Sequence, residues 1–304
     1  MGYRSFRQRT ARPDTPSARP RVRSIADDSQ WSLSEYVCTA GPHDHPFEER
    51  HDRVSLALVT SGTFRYRTDT GEGLLYPGAF LLGNAGACYE CGHEHSHGDH
   101  CLALHVSQDV FAEIVLGSAP SRQSMFRRAV LPAVPSLAPL SAAMRRHPSS
   151  SLAREELIFD LIAAIARLAA ANYSDPRKIR PAALRRIPQV FDYVDHHLSS
   201  SLTLAALSSH LSMSRFHFLR TFKYATGLTP HQYVLGRRLR FVADRLEATD
   251  DSIAHIAASA GFGDLSTFNH LFRRTMQCSP SFFRSQRNAR ALKPGVSAGA
   301  ETKS

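Results

Sequence analysis

The hydrophobic residues of positions 25–110 occur in short segments with the length and composition of β-strands. Each segment is bounded by Gly, Pro, Asn or Asp, and four of them are Val54–Val59, Thr63–Arg67, Ala79–Leu82 and Leu102–Val106. The pairs Ser61-Gly62 and Pro77-Gly78 are typical of tight turns between such strands. Strands at this close spacing predict a small barrel or sandwich.

From residue 109 the pattern becomes helical, and the longest helix is predicted over Leu152–Tyr173. One face of that helix carries the apolar residues Leu157, Leu161, Ile165 and Leu168, widened by Ile158 and Ile162. Such a broad apolar face must be buried against another surface. The β region of the same chain or a second subunit can provide that surface, and we predict a homodimer formed through this half of the chain.

Residues 187–285 show helical spacing throughout, with no alternation of the kind that strands produce. Prolines and basic residues interrupt the apolar pattern over 176–186, which predicts a linker. The pattern therefore predicts an α+β multidomain protein. Its segments are a disordered basic tail over 1–24, a β-rich domain with trailing helices over 25–175, the linker, an all-α domain over 187–287 and a disordered tail over 288–304.

The helical region contains one pattern twice, in residues 202–233 and 251–283. Each copy has a short helix, a tight turn and a second helix with two phenylalanines four positions apart, followed by a basic residue and by Thr-Pro or Ser-Pro. Ser214 and Ser266 are the predicted N-caps of the second helices. Two helices joined by a short turn form a helix-turn-helix, whose second helix enters the DNA major groove.

In each second helix, the residues that do not share the face of the two phenylalanines should point outward. They include Arg215, His217 and Arg220 in the first copy, and Thr267, Asn269 and His270 in the second. Arg can donate two hydrogen bonds to guanine, and Asn can pair in the same way with adenine. Lys223, Arg273 and Arg274 are better placed for phosphate, whose contacts position a protein without reading sequence. A helical bundle that binds no ligand is the alternative.

The charge of the chain is divided between the same two halves. The formal net charge is +10, with net −7 over residues 25–175 and net +11 over 176–293. A strongly basic domain is the electrostatic signature of a polyanionic partner, most often nucleic acid. Charge therefore favours double-stranded DNA as the partner of the helical domain.

Composition argues against several classes of protein. No apolar run approaches the roughly 20 residues of a membrane span, and no apolar stretch follows the N-terminal arginines as it would in a secretory signal. Five cysteines in 304 residues fit a reducing cytosol. We therefore predict a cytoplasmic protein with no membrane partner. Because neither a nucleophile elbow nor a P-loop occurs, no catalytic residue is predicted.

Residues 187–285 resemble the DNA-binding domain of the AraC/XylS family of bacterial transcription regulators. The segment IAHIAASAGFGDLSTFNHLFRRTMQCSPSFFR, residues 253–284, carries the signature I-x-x-I-A…GF…S-x-F…F-[KR]-[KR]…P…[FY]-R. The segment YVLGRRLRFVADRL resembles the helix that joins the two motifs, with Arg238 at its arginine. Ser208, Val242 and Cys278 stand where the family usually has Ala, Ala and Gly.

The resemblance implies two helix-turn-helix units, set apart by a rigid helix, that enter successive segments of the major groove. Carried over position by position, the base-contacting residues would be Arg215, Phe216, Leu219 and Arg220 in the first unit. In the second unit they would be Ser266, Thr267, Asn269 and His270. The family also implies RNA polymerase as a partner.

The same resemblance implies that residues 25–110 form a cupin-like β-barrel sensor, because the segment 55–86 is similar to the cupin strand pattern. We therefore expect a transcription factor that responds to an unknown small-molecule or metal effector. A cupin-type metalloenzyme is one alternative, since His43, His45 and His51 precede the barrel strands, although the two-His-and-Glu motif of cupins is not found. A structural zinc-binding module is the other.

Residues 88–105, CYECGHEHSHGDHCLALH, contain three cysteines and five histidines. Thiolate and imidazole are ligands for zinc and for other borderline metals. No cofactor is certain, but we predict that a divalent metal such as zinc binds Cys91, His93, His95 and Cys101, with Cys88 as a substitute ligand. A polar, His-rich hairpin without a metal is the alternative.

Overall fold

The computed structural model describes residues 20–42, 44, 46–93, 98–116, 125–146, 151–170 and 181–291. Within these ranges a strand-rich N-terminal region precedes a helical C-terminal region, as the sequence predicts. In this part of the chain, no helix is both long and apolar enough to cross a membrane.

The N-terminal strands form two antiparallel sheets. The strands are β1 Arg21–Asp27, β2 Trp31–Cys38, β3 Phe47–Arg50, β4 Val54–Gly62, β5 Phe64–Thr68, β6 Gly71–Leu75, β7 Phe80–Gly83, β8 Cys88–Gly92, β9 Asp99–Val106 and β10 Val130–Leu131. One sheet has the order β1-β2-β9-β4-β7-β10 and the other the order β3-β8-β5-β6. All four segments predicted as strands are strands. The outer strands of each sheet pair on one side only, so the described strands form two open sheets.

Three elements cross the predicted domain boundaries. Strand β1 begins at Arg21, inside the predicted N-terminal tail, because its largely exposed backbone pairs with β2. A short helix, α4, spans Pro181–Leu184 in the predicted linker and buries Ala183. The last helix runs four residues past 287, to Ala291. Residues 1–19, 171–180 and 292–304, which contain the rest of the tails and linker, lie outside the described residues.

Three α-helices accompany the sheets. They are α1 Gln108–Leu116, α2 Ala138–Arg146 and α3 Ser151–Ala170, with a 3-10 helix at Pro135–Leu137 before α2. The apolar face of α3 packs on the six-stranded sheet, where Leu161, Ile162 and Ile165 share a core with Leu56 and Leu104. Of the two partners that the sequence allowed for this face, the chain's own β region therefore covers most of it.

The remaining described helices are α5 Pro188–His196, α6 Leu204–His210, α7 Arg215–Thr226, α8 Pro230–Ala248, α9 Ile253–Ser259, α10 Leu265–Met276 and α11 Pro280–Ala291. They confirm the all-helical prediction. Helix α8 contributes to two cores, with Tyr233 packed near Phe222 in the first and Val242 near Phe272 in the second. Residues of α8 belong to both cores, so this one helix supports both helix pairs.

Candidate nucleic-acid interface and buried Cys/His/Asp cluster

The first helix-turn-helix consists of α6 and α7, joined by a turn in which Ser212 has a φ of 49°. The Ser214 hydroxyl accepts a hydrogen bond from the His217 amide at 3.3 Å, so Ser214 is the N-cap that the sequence predicts. Helix α7 ends at Thr226, and Gly227 after it has the left-handed conformation that suits a C-cap. Local sequence therefore fixes both ends of this recognition helix.

The second helix-turn-helix consists of α9 and α10, and its predicted N-cap is wrong. Asp264, not Ser266, caps α10: its carboxylate accepts hydrogen bonds from the amides of Ser266 at 3.2 Å and Thr267 at 2.6 Å. Hydrogen bonds from Thr267 and then Ser266 hold the pKa of Asp264 below its ordinary value. A carboxylate at this end also complements the helix dipole. Ser266 is consequently the second residue of the helix and is exposed.

The two recognition helices correspond at an offset of 50 residues, from Ser214 to Asp264. At this offset Phe218 matches Phe268, Phe222 matches Phe272 and Gly227 matches Gln277, which is also left-handed. All four phenylalanines have no exposed surface. The repeat therefore produces two helices that use the same pair of aromatic anchors.

The predicted base-contacting residues form the outer face of these helices. Every one is exposed except Asn269, which is half-buried; the exposed set is Arg215, Phe216, Leu219, Arg220, Ser266, Thr267 and His270. Phe216 is 75% exposed. Leu265, at the position that corresponds to Arg215, is 45% exposed and was missed by the sequence analysis. The offset of 50 residues would have identified it, had Asp264 been recognised as the cap.

The predicted phosphate-contacting residues Lys223, Arg273 and Arg274 are exposed in the last turns of α7 and α10. Cations there also complement the negative end of the helix dipole. Their positive charges therefore stabilise the C-terminal ends of the two helices.

The turn of the second helix-turn-helix unit lies close to the segment that precedes the first unit, and Arg238 binds that segment. From α8, Arg238 donates hydrogen bonds to the carbonyl oxygens of Leu198 at 3.1 Å and Ser200 at 2.8 Å, just before the first unit. Gly261, in the turn of the second unit, has a φ of +83°. A Cβ at this position would lie 2.4 Å from the Leu198 oxygen, so only glycine allows the turn to approach so closely.

The structure accommodates the three departures from the family pattern. Ser208 is buried, and its hydroxyl donates to the Ala205 carbonyl at 3.1 Å. Val242 is fully buried, and Cys278 packs at the edge of the second core.

Tyr76 connects the strand-rich region to the first unit. It is fully buried after β6, its ring stacks on Phe191 at a centroid distance of 5.1 Å, and its hydroxyl donates to the Thr226 carbonyl at 2.6 Å. Thr226 is the last residue of α7. The N-terminal region therefore touches the end of the first recognition helix directly.

A second chemical feature lies inside the strand-rich region, where Cys38, His93 and Asp99 converge. One ligand atom from each lies within 4.8 Å of the others, and all three residues are buried. Nε2 of His93 is 2.7 Å from Oδ2 of Asp99. Burial alone would lower the pKa of His93, but its hydrogen bonds with Asp99 and Cys38 raise the pKa to about 9.

The predicted metal ligands are only partly brought together. Cys91 and Cys101 are buried near this cluster, and the Cys101 thiol donates to Oδ1 of Asp99 at 3.2 Å. Burial raises the pKa of both thiols, and the charge of Asp99 raises it further. Cys88 is exposed on the opposite face of β8 from Cys91, because residues three apart on a strand alternate. His95 lies outside the described residues.

The sequence analysis missed Cys38 and Asp99 as partners of His93. The register of β2 and β9 places Cys38 directly opposite Asp99, and no local pattern encodes that pairing. Of the three histidines considered for a metalloenzyme, His43 and His45 lie outside the described residues. His51 is buried, its Nε2 lies 2.8 Å from the Tyr66 hydroxyl, and burial lowers its pKa to about 4.

A cavity of about 520 Å³ adjoins the cluster. Its lining combines aromatic, imidazole, carboxylate and thiol groups, including Tyr36, Glu49, His51, Cys38, Asp99 and His105. Small-molecule pockets commonly have volumes of about 300–1,000 Å³ and a few polar groups of this kind.

Comparison with known proteins identifies the helical part. Residues 207–286 match the helix-turn-helix domain family. The chain is 34% identical over 92 residues to the MmsAB operon regulatory protein of Pseudomonas aeruginosa, covering 30% of each chain. It is 36% identical over 106 residues to the HTH-type transcriptional activator RhaS of Escherichia fergusonii, covering 34% of this chain and 37% of that one. The matches therefore span about a third of the length of these relatives.

The chain also aligns with a crystal structure of the DNA-binding domain of AdpA, a global transcriptional factor, in complex with a target DNA. The two are 28% identical, and the alignment covers 36% of this chain and 98% of that one with a TM-score of 0.34.

Proposed function

We propose, from the premise that residues 207–286 form an AraC-type helix-turn-helix domain, that this protein is a sequence-specific DNA-binding regulator of transcription. The observation that carries the proposal is the duplicated recognition helix. In each copy two buried phenylalanines hold the helix, and donors and apolar groups remain exposed on its outer face.

In the proposed complex, α7 and α10 enter successive major-groove segments on one face of the DNA, and α8 sets their separation. Arg220 reads guanine and Asn269 reads adenine, because their side chains can form paired hydrogen bonds with those bases. Phe216, Leu219 and the hydroxyl and imidazole groups of the outer face complete the base contacts. The bases are contacted by Arg215, Phe216, Leu219, Arg220, Ser266, Thr267, Asn269 and His270, and the phosphates by Lys223, Arg273 and Arg274.

The strand-rich domain, residues 25–175, acts in this proposal as a cupin-like sensor. Its cavity of about 520 Å³ is large enough for a small-molecule effector. The contact between Tyr76 and Thr226 supplies a route from the sensor to α7. The relatives are regulators, one of them an activator, which favours activation through RNA polymerase and argues against catalysis.

We also propose that the protein acts as a cytoplasmic homodimer. Leu152 and Phe159 of α3 are exposed at 65% and 48%, which leaves apolar surface for a second subunit. Sedimentation of the full chain over a wide concentration range tests this part, and a monomer at every concentration would contradict it.

Selection of bound duplexes from a random DNA library by the full-length protein tests the central proposal. We expect a defined sequence motif for the wild type and for Arg167→Ala, which removes an exposed positive charge on α3, far along the chain from both units. The double variant Arg220→Ala/Asn269→Ala should lose the motif. No enrichment by the folded wild type would overturn the proposal.

A further inference from the structure

The cluster of Cys38, His93 and Asp99 is built from three separate elements of the sensor domain. Cys38 ends β2, Asp99 begins β9 directly opposite it, and His93 follows β8. Their exposed fractions are 6%, 6% and 7%. Three residues with metal-ligating atoms therefore meet in the interior, where the pairing of His93 with Asp99 offsets the free-energy cost of burying them.

Glycines hold the backbone around this cluster in one arrangement. Gly98 has a φ of +76°, and a Cβ there would lie 2.3 Å from the Cys38 carbonyl oxygen. A Cβ at Gly62 would lie 2.3 Å from the Gly98 oxygen and 2.7 Å from Cα of Asp99. Close backbone contacts on both sides of Asp99 thus fix its position relative to Cys38.

We propose that Cys38, His93 and Asp99 bind a borderline transition-metal ion of the zinc class. This inference deepens the sensor part of the proposed function and rests on it only for the regulatory meaning of the metal. A set of one sulfur, one nitrogen and one oxygen donor suits zinc, whereas magnesium and calcium prefer oxygen alone.

The spacing of the donors is compatible with such an ion. Nε2 of His93 and Oδ2 of Asp99 are 2.7 Å apart. A tetrahedral zinc ion about 2.0–2.1 Å from each would separate them by about 3.3 Å. Replacement of the hydrogen bond by the metal therefore requires a movement of roughly half an ångström, which side-chain rotation supplies.

The surroundings of the cluster would let a bound ion take up a ligand from the cavity. Cys38 and Asp99 also line the cavity of about 520 Å³. With three protein ligands, a tetrahedral ion keeps one position for water or an exogenous ligand, as in sites with an open coordination position. The Cys101 thiol donates a hydrogen bond to Oδ1 of Asp99 and so orients the carboxylate.

Cobalt substitution of full-length protein produced without a His-tag tests the site. We expect about one cobalt ion per chain and a thiolate-to-cobalt charge-transfer band in the wild type. Cys88→Ser is the matched control, because Cys88 is exposed on the other face of β8 and its substitution should leave the band unchanged. Cys38→Ser should abolish the band, and Asp99→Asn should lower cobalt affinity at least tenfold.

Three results would overturn the inference: substoichiometric cobalt in the wild type, a tetrahedral spectrum without a thiolate band, or a band that persists in folded Cys38→Ser. If Cys38→Ser does not fold, the cobalt affinity of Asp99→Asn carries the test, and an affinity equal to that of the wild type would overturn the inference. DNA binding by the same preparations is measured separately. Loss of metal with intact DNA binding contradicts only this inference, and absence of DNA binding in the metal-loaded wild type contradicts only the proposed function.

Discussion

At the scale of single residues, burial separates the side chains of α7 into two kinds. Phe218 and Phe222 have no exposed surface, whereas Arg220, between them in sequence, is exposed, and so is Lys223 one turn later. We propose that Arg220 contacts a base and Lys223 a phosphate. Replacement of Arg220 should therefore change which DNA sequences are bound, whereas replacement of Lys223 should change the affinity for all of them.

Arg220→Ala should weaken binding to the selected site by about 1–3 kcal/mol and relax base preference at one position. Lys223→Ala should weaken binding to all duplexes by a similar factor and reduce its salt dependence. Titration of both variants against the selected site and single-base variants of it distinguishes these effects. An equal loss on every duplex for Arg220→Ala would remove its base-reading role.

The aromatic residues of α7 provide a second residue-scale test. Phe222→Ala should lower the free energy of unfolding by about 3–5 kcal/mol, because it leaves a cavity in the first core. Phe216→Ala, at a 75% exposed position, should leave the unfolding midpoint nearly unchanged and weaken DNA binding instead. Urea denaturation compares the two, and a reversed order would mean that the helix faces are misassigned.

The sequence predicted most of this residue-scale division, since the four-residue spacing of the phenylalanines marks the buried face. It failed at Ser266, because a Ser and an Asp two positions earlier are both good N-caps. Only the structure shows that the Asp264 carboxylate accepts hydrogen bonds from the amides of Ser266 and Thr267.

At the scale of elements, the turns decide how the two units are held. Gly261→Ala places a Cβ at a φ of +83° and 2.4 Å from the Leu198 oxygen. We expect a loss of stability of at least roughly 1–2 kcal/mol from the left-handed φ alone, and weaker binding to the full site. Gly263→Ala is the matched control, with no atom within 4 Å of its added Cβ. Thermal unfolding compares the two variants. Equal midpoints would contradict the claim that the close approach at position 261 requires glycine.

Element identity was predictable from periodicity, but element pairing was not. The strands around Val54 and Leu102 were evident from apolar residues bounded by turn residues. The pairing of Cys38 with Asp99 joins strands 61 positions apart, and nothing local specifies it. The metal prediction therefore concentrated on the cysteines and histidines of residues 88–105 and did not include Cys38 of β2, which lies beside His93 and Asp99. Strand β1 was missed for the same reason, because only its pairing with β2 makes it a strand.

At the scale of the whole molecule, the strand-rich region and the helical region share an interface. Arg145 of α2 forms an ion pair with Asp244 of α8 at 3.1 Å, and Arg146 lies 3.9 Å from the centre of the Phe283 ring of α11. Tyr76 and Thr226 make a buried contact at the first helix-turn-helix unit. The domain that we propose to be the sensor therefore contacts the first unit and the helices α8 and α11 that flank the second.

Tyr76→Phe tests that interface. The substitution keeps the ring against Phe191 but leaves the Thr226 carbonyl without the Tyr76 hydroxyl, at a cost of about 1–3 kcal/mol for a buried acceptor. We expect a lower urea midpoint for the full chain. Tyr89→Phe is the control, since its hydroxyl donates to Glu49 at an exposed position within the sensor. Unchanged stability of Tyr76→Phe would contradict a structural link through this bond.

The central claim is that α7 and α10 contact two successive major-groove segments on one side of a duplex. Methylation interference with the full-length protein on its selected site measures this directly, because methyl groups on guanine N7 block the major groove. We expect two clusters of interfering guanines separated by about 10–10.5 base pairs, with the first cluster weakened in Arg220→Ala. A single cluster, or two clusters on opposite faces of the DNA, would contradict it.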